Sequence, residues 1–327
     1  MDQKPPFADL TPDTLLDAID ALGLPASGSL LALNSYENRV YQVGIDDAPP
    51  IIAKIYRPDR WTDAQIQEEH TYTQQLAAAE IPVIAPMVVN GNTLHSHAGY
   101  KLAVFARRGG RCPEIGQPDV LEWIGRFLGR IHAIGQTEPF VHRPAIDIHT
   151  FGEEPVAWLL DSDFIPTELR DDYRAQTQLA LDGVRRAFDR AGNVATLRLH
   201  GDCHLGNILW TDAGPHFVDF DDARTGPAVQ DLWMLLGGER EEQSRHLGDL
   251  LAGYEDFCEF NTRELHLVEA LRTLRIIHYA AWLARRWTDP AFPAAFTWFG
   301  TAHYWQQHLL QLREQIAQMA EPPLWSH

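Results

Sequence analysis

Apolar residues recur at two different periods along this 327-residue chain, and the change from one to the other divides it. Near the start, Leu15, Leu16, Ile19 and Leu22 follow helical spacing behind Thr11-Pro12, an N-cap followed by proline at the first helical position, and Gly23 ends the run. Three runs of β type come next, over 30–33, 39–43 and 51–56, with Asp46-Asp47-Ala48-Pro49-Pro50 turning the chain between the last two. They predict an antiparallel meander. From 62 to 79 the period becomes helical, with Ile66, His70, Thr73 and Leu76 on one side, until Ile81-Pro82 stops it. Two more strands are predicted, over 87–89 and 100–105, with Asn90-Gly91-Asn92 as a turn.

Beyond Arg107-Arg108-Gly109-Gly110-Arg111 the pattern is dominated by helices, predicted over 119–134, 168–191, 231–236, 244–260 and 264–287. The boundary falls near 105–110. The expectation is an α+β, bilobal protein-kinase-like fold: an N-terminal lobe over 1–106 with a short helix, an antiparallel sheet and one helix, then a helical C-terminal lobe over 107–327 carrying the acidic loops. The arginine run reads as a solvated connection between lobes, with docking of a phosphate or an acidic peptide as the sharper alternative. Trp282, Trp287, Trp298 and Trp305 read most simply as core.

Charge narrows the partners. With 27 Lys and Arg against 45 Asp and Glu, the chain repels a phosphate backbone, so no sequence-independent nucleic-acid binding is expected. No stretch reaches the roughly 18 apolar residues of a membrane span, and Met1-Asp2-Gln3-Lys4-Pro5-Pro6 lacks the pattern of a secretory leader. Cys112, Cys203 and Cys258 have neither metal-ligand nor disulfide-like spacing, which fits a reducing compartment and makes the cytoplasm the expected location.

The densest chemistry lies in Leu199-His200-Gly201-Asp202-Cys203-His204-Leu205-Gly206-Asn207, followed after a turn at Thr211-Asp212-Ala213-Gly214-Pro215 by Phe217-Val218-Asp219-Phe220-Asp221-Asp222. Phosphoryl transfer asks for a carboxylate to receive a hydroxyl proton and for hard oxygens to hold magnesium on nucleotide phosphates. Asp202 and Asn207, five apart among glycines, can turn toward one point, and Asp219 ends an apolar strand facing the same loop. Asp221 and Asp222 compete with Asp219, which is preferred as the nearest to the strand. Taken blandly, such a cluster is only a turn. His200 and His204 beside these carboxylates also admit a zinc or di-iron reading, but a buried His200 hydrogen-bonded to a carboxylate such as Asp231 is simpler.

Lys54 sits inside the apolar run Ile51-Ile52-Ala53-Lys54-Ile55-Tyr56, where a charge is disfavoured unless it is paired or faces a ligand. Kinases set such a lysine on nucleotide phosphates and fix it with a helix glutamate, for which Glu68 and Glu69 are candidates. An edge lysine pointing to water is the bland alternative. Asn34-Ser35-Tyr36-Glu37-Asn38 occupies the place of a glycine-rich phosphate cover yet has no glycine, leaving backbone amides and the Ser35 hydroxyl for the phosphates. Cys203 reads as a packing residue more readily than as an oxidation-sensitive thiol, because nearby carboxylates disfavour its thiolate.

Several stretches together resemble a family of bacterial serine/threonine protein kinases of the stress response that carry an aminoglycoside-phosphotransferase-like fold: Asn34-Ser35-Tyr36-Glu37-Asn38-Arg39-Val40-Tyr41, Tyr56-Arg57-Pro58-Asp59-Arg60-Trp61, Leu199-His200-Gly201-Asp202-Cys203-His204, Gly206-Asn207-Ile208-Leu209-Trp210, Asp221-Asp222-Ala223-Arg224 and Gly226-Pro227-Ala228-Val229-Gln230-Asp231-Leu232-Trp233. The resemblance spans nearly the whole chain, with a phosphotransferase-like core over about 30–270. It implies Asp202 as proton acceptor, Asn207 and Asp219 as magnesium ligands, and Asp219 among the catalytic residues. It also implies Ser35, Lys54 and Glu69 at the ATP site, with His200 and Asp231 supporting the catalytic loop. The activity implied is ATP- and magnesium-dependent phosphorylation of protein Ser or Thr, with autophosphorylation, by a monomer. Small-alcohol phosphotransferases share these motifs, so an aminoglycoside, choline or homoserine kinase is the rival, and a non-catalytic nucleotide-binding scaffold is a second. Asp219-Phe220-Asp221 stands where eukaryotic kinases carry Asp-Phe-Gly, so no phosphorylation-ordered activation segment is expected.

Overall fold

Thr11 caps the first helix as its place before proline predicts: in α1 (Pro12–Ala21) its Oγ1 accepts from the Thr14 amide at 3.1 Å. The computed structural model describes residues 4–117 and 119–324, so 1–3 of the predicted N-terminal lobe, and 118 and 325–327 of the predicted C-terminal lobe, lie outside the described residues. Strands β1 (Ala26–Leu33), β2 (Arg39–Ile45) and β3 (Ala48–Ile55) follow α1, and then α2 (Asp63–Ala78), β4 (His95–His97) and β5 (Tyr100–Ala106). Helix α2 starts in a capping box in which Thr62 and Gln65 satisfy each other's amides. The strands form one antiparallel sheet in the order β1-β2-β3-β5-β4.

Period-two alternation in β3 decides where Lys54 goes. Ile51, Ala53 and Ile55 pack with Leu15 and Ile19 of α1, with Val43 and with Leu102 and Val104 of β5. Lys54 therefore belongs to the other face. There its cross-strand partner Ala103 packs with Ile66 of α2.

The stretch 87–89 does not form the predicted strand. Met87 donates its amide to Val104 O at 2.8 Å, but Val89 and Asn92 close at once on each other, at 2.8 and 3.0 Å, around a left-handed Asn90-Gly91 turn. Pro86 has no amide to extend a ladder, and the paired strand forms later, as β4.

The remaining elements are α3 (Val120–Gly135), α4 (Glu154–Asp161), α5 (Arg170–Ala191), β6 (Leu197–Leu199), the hairpin β7 (Ile208–Thr211) and β8 (Gly214–Phe217), then β9 (Arg224–Gly226), α6 (Val229–Trp233), α7 (Arg240–Tyr254), α8 (Val268–Arg285), α9 (Ala291–Ala295) and α10 (Ala302–Gln318). Helix α7 starts four residues before the predicted 244–260, and α8 is preceded by a 3-10 turn over Thr262–Leu267. Helices α4, α9 and α10 were not anticipated. Trp305 of α10 is fully buried, as a core reading of the tryptophans predicts, but Trp298 is 46% exposed. No helix among the described residues is long and apolar enough to cross a membrane.

The chain groups into two units, 1–113 with 206–221, and 114–205 with 222–327. This departs from a division at 106/107, because the β7–β8 hairpin joins the sheet unit rather than the helical one. Phe217 is the reason: it is fully buried, its amide donates to Pro82 O at 2.8 Å, and its carbonyl accepts from Ile84 at 3.2 Å. Arg111 and Trp210 also exchange backbone bonds, at 3.0 and 2.7 Å. Phe217→Ala keeps these bonds but empties the seat, and is expected to destabilise the sheet unit by about 3–5 kcal/mol. Thermal unfolding of wild type and variant checks this, and an unchanged midpoint would remove Phe217 as the anchor.

Candidate active site

An antiparallel hairpin returns its two ends to one place, and β7–β8 does so for two of the expected site residues. Ile208 pairs with Phe217, and the Val218 amide donates to Asn207 O at 3.0 Å, so Asn207 and Asp219 flank the open end one residue out of register. Asp219 adopts the left-handed backbone region (φ 60), which aspartate tolerates, before a 3-10 turn over Phe220–Asp222. From β3, Lys54 Nζ lies 2.9 Å from Asp219 Oδ1 and 3.1 Å from Asp221 Oδ1.

The two carboxylates on Lys54 differ in surroundings. Asp221 has 5% of its side chain exposed, accepts from Asn38 Nδ2 at 3.1 Å and is ion-paired with Arg60. Asp219 has 53% of its side chain exposed, which leaves it open to a ligand from solvent. Asp222, the third competitor, pairs in the other unit with Arg224, at 3.4 Å. Burial of Lys54 favours its neutral form, but Asp219 and Asp221, and more weakly Tyr56 and Glu69, outweigh it and hold the ammonium charged well above the usual lysine range.

Lys54 thus makes its direct ion pairs with Asp219 and Asp221 rather than with the expected helix glutamate. The reason is the hairpin, which returns the 219–221 segment to β3 and brings two carboxylates within 3.1 Å. Of the two glutamates, Glu69 is buried on α2 and adds to the field on Lys54, while Glu68 is only half-buried.

The loop between β1 and β2 holds Ser35, partly exposed, and is braced without glycine. Arg57 donates through Nε to Glu37 O at 2.9 Å and through Nη2 to Tyr36 O at 3.2 Å, and its guanidinium pairs with the Glu37 carboxylate at 2.9 Å. Asn38 accepts from the Arg57 amide at 3.0 Å while its Nδ2 reaches Asp221. Roles for Arg57, Arg60 and Asn38 were missed in the sequence. The available signal was two arginines and an acidic loop residue placed beside apolar strands.

In the helical unit, Asp231 is fully buried at the start of α6 and takes three donors: the amides of His200 and Gly201, both at 2.8 Å, and His132 Nε2 at 3.1 Å. His132 is oriented in turn by Tyr254 Oη at 2.9 Å. His200 is buried and its backbone amide meets Asp231, which also takes the ring of His132. Gln230 donates to Gly201 O at 3.1 Å, so consecutive α6 residues hold both polar groups of that peptide position. Gly201 has φ +85, and a Cβ there would lie 2.1 Å from Asp222 O, so only glycine fits.

This frame presents Asp202, whose side chain is 25% exposed. Arg275 Nη1 of α8 donates to its Oδ1 at 2.5 Å, and His204 Nε2 lies 3.5 Å from Oδ2. Burial disfavours the carboxylate most strongly and Asp222 adds to that, but His204 and Arg275 together outweigh them, so Asp202 ionises below the ordinary aspartate range. Arg275 was missed because it lies 73 residues away in sequence, in a helix with nothing to mark it. Burial, with Asp231 and Asp202 nearby, pushes the Cys203 thiol well up, which suits a packing residue.

The donor set fits magnesium: at the open end of the hairpin, Asp219 and Asn207 would supply one anionic and one neutral hard oxygen, too few for an all-protein cage. Zinc or di-iron would need a denser set, and among the described residues no group of three or more His, Cys, Asp or Glu could hold a metal ion.

Glu264 supports α6 by accepting from the Val229 amide at 2.9 Å. Burial raises its carboxyl from the usual 4.5 to about 7, against the pull of the Val229 and Ala228 amides. The folded state then binds a proton that the unfolded chain has released, so this stabilisation is complete below pH 4.5 and is lost as pH rises through about 7. Against Glu264→Gln, which keeps an acceptor but cannot ionise, wild type is expected to lose roughly 2–3 kcal/mol between pH 4.5 and pH 8. Urea midpoints at the two pH values measure it; a constant difference between the proteins would contradict the assignment.

Residues 29–268 match the phosphotransferase enzyme family, APH. Stress response kinase A of Escherichia coli strain K12 is 46% identical over 318 residues, 97% of this chain and 96% of that protein. Serine/threonine protein kinase RdoA of Salmonella typhimurium is 45% identical over the same shares. Among solved structures, amicoumacin kinase hAmiN in complex with AMP-PNP, Ca2+ and Ami superposes with TM-score 0.72 at 19% identity, covering 96% of this chain and 95% of that one. Choline kinase LicA from Streptococcus pneumoniae gives 0.62 at 14% identity, covering 94% and 98%. The fold is thus aminoglycoside-phosphotransferase-like, and the chain is a kinase that belongs to the phosphotransferase enzyme family and, within it, to the stress response kinase A group.

Proposed function

We propose that this kinase transfers the γ-phosphoryl group of ATP, with magnesium, to Ser or Thr hydroxyls of proteins, its own chain included, in a bacterial stress response. The observation that carries the reading is the β7–β8 hairpin: it sets Asn207 beside Asp219, ion-paired to Lys54, five residues after Asp202. The protein acceptor rests on the names of the two relatives, stress response kinase A and serine/threonine protein kinase RdoA. Reduced cysteines agree with a cytoplasmic location, and nothing in the reading requires more than a monomer.

In this reading Asp202 accepts the hydroxyl proton and aligns the oxygen, held in place by the Asp231 frame on its loop. A carboxylate below the ordinary aspartate range is a weak base, so its main contribution is orientation, with the proton moving late. Lys54 offsets negative charge on the nucleotide phosphates, with Glu69 adding to the field that keeps it charged. Ser35 and the amides of its loop, braced by Arg57, cover the phosphates. Magnesium, when bound, would be held by Asn207 and Asp219 and would neutralise charge on the phosphate oxygens.

The second reading is a small-alcohol phosphotransferase, favoured by the names of the structural neighbours, which act on amicoumacin and choline. Labelled ATP offered with casein-like protein mixtures and, separately, with small alcohols distinguishes them. Label is expected on protein and on the enzyme itself; label confined to small molecules would overturn the protein acceptor. Asp202→Asn is expected to lower transfer by roughly 10²–10⁴-fold while nucleotide still binds. Undiminished transfer would remove Asp202 from its role.

A further inference from the structure

One face of the helical unit is left unexplained by nucleotide chemistry. Arg275, the partner of Asp202, also lines a cavity of about 380 Å³ whose wall includes Trp233, Arg272, Tyr279, Trp298 and Tyr304. Tyr279 and Trp298 are 38% and 46% exposed, large aromatic surface that a folded chain ordinarily covers. Trp298 and Tyr304 pack with ring centroids 5.4 Å apart, so this surface is built rather than loose.

The two arginines in the wall are used differently. Arg272 is engaged: its Nε is 3.1 Å from Glu269 and its guanidinium lies over Trp233, 5.0 Å from the ring centroid. Arg275 spends one nitrogen, Nη1, on Asp202. A guanidinium offers five donors in a planar fork, and the Arg275 side chain is 40% exposed and lines the cavity. In a chain with a formal net charge of −18, an anionic ligand needs such a local cation.

We propose that Arg275 is the specificity-determining residue for the acceptor: it binds a carboxylate carried next to the acceptor hydroxyl, while the aromatic wall holds the rest of the acceptor. One guanidinium then bridges two carboxylates, that of Asp202 and that of the acceptor, and sets the hydroxyl beside Asp202 at the width of a single fork. The acceptor is therefore an alcohol flanked by a carboxylate, either a Ser or Thr next to an acidic residue in a protein or a free hydroxy amino acid. The inference rests on the phosphotransfer reading of Asp202, and the protein source rests on the protein-kinase reading.

The test is a ratio of kcat/KM values, which is insensitive to loss of folded enzyme. Transfer is measured to a Ser peptide with Glu beside the serine and to its Gln counterpart, and in a second arm to L-threonine and L-threoninamide. Wild type is expected to favour the carboxylate-bearing member by roughly 10- to 100-fold. Arg275→Met, which keeps the stem, should bring the ratio near unity, and Arg275→Lys should restore part of it. The effect on the peptides supports the protein source. The effect on threonine alone would keep the assignment of Arg275 while overturning the protein acceptor. A wild-type ratio near one, or the same ratio in Arg275→Met, would overturn the proposal. So would an equal rise in rate for every acceptor, which would make Arg275 only a clamp on Asp202. Transfer to none of the four would overturn both this inference and the reading beneath it.

Discussion

A buried ammonium on a β-sheet must be compensated, and the ion pairs of Lys54 with Asp219 and Asp221 meet that demand from 165 and 167 residues further along the chain. Taking the charge out of water favours its loss, so the lysine stays charged only because carboxylates approach to about 3 Å. The hairpin has to return to the sheet to deliver them. Phe217 seats that hairpin, and Asn38 and Arg60 hold Asp221, which ties the β1–β2 loop to the same point. Asp219 is the member of the pair left open to solvent, and so the one with coordination capacity to spare.

The helical unit solves a matching problem with opposite charge. Asp231 is a fully buried carboxylate, and it is satisfied by two backbone amides and one imidazole rather than by a lysine or arginine. That choice fixes the backbone at His200 and Gly201, and hence where Asp202 begins. The motif Gly226-Pro227-Ala228-Val229-Gln230-Asp231-Leu232-Trp233 becomes intelligible as a clamp: Gln230 and Asp231 grip one peptide position from the donor and acceptor sides, and Glu264 secures the helix beneath them.

Much of the sheet unit was legible because its signals are local. Thr11 and Thr62 mark helix starts through short-range caps, and a lysine inside an apolar strand announces that something must meet its charge. The same holds for Asp202, Asn207 and Asp219, which lie within one short stretch of the chain. What was not legible depends on distance in sequence. The partners of Lys54, the brace by Arg57 and the contact of Arg275 with Asp202 join residues that no window holds together. The bond of His132 to Asp231, across 99 residues, escapes any local window for the same reason. The missed strand shift from 87–89 to β4 and the missed helix α10 have another cause: proline near a tight turn, and polar residues such as Gln306, Gln307 and Gln311 that blur the helical period.

In the proposed function, the hairpin end formed by Asn207 and Asp219 is where magnesium would join the nucleotide to this chain. Calorimetric titration of ATP with and without magnesium, on wild type and on Asp219→Asn, tests it most directly. Magnesium should tighten ATP binding to wild type by roughly tenfold or more, and Asp219→Asn should lose most of that gain while still binding ATP. An equal gain from magnesium in both proteins would remove Asp219 as its ligand.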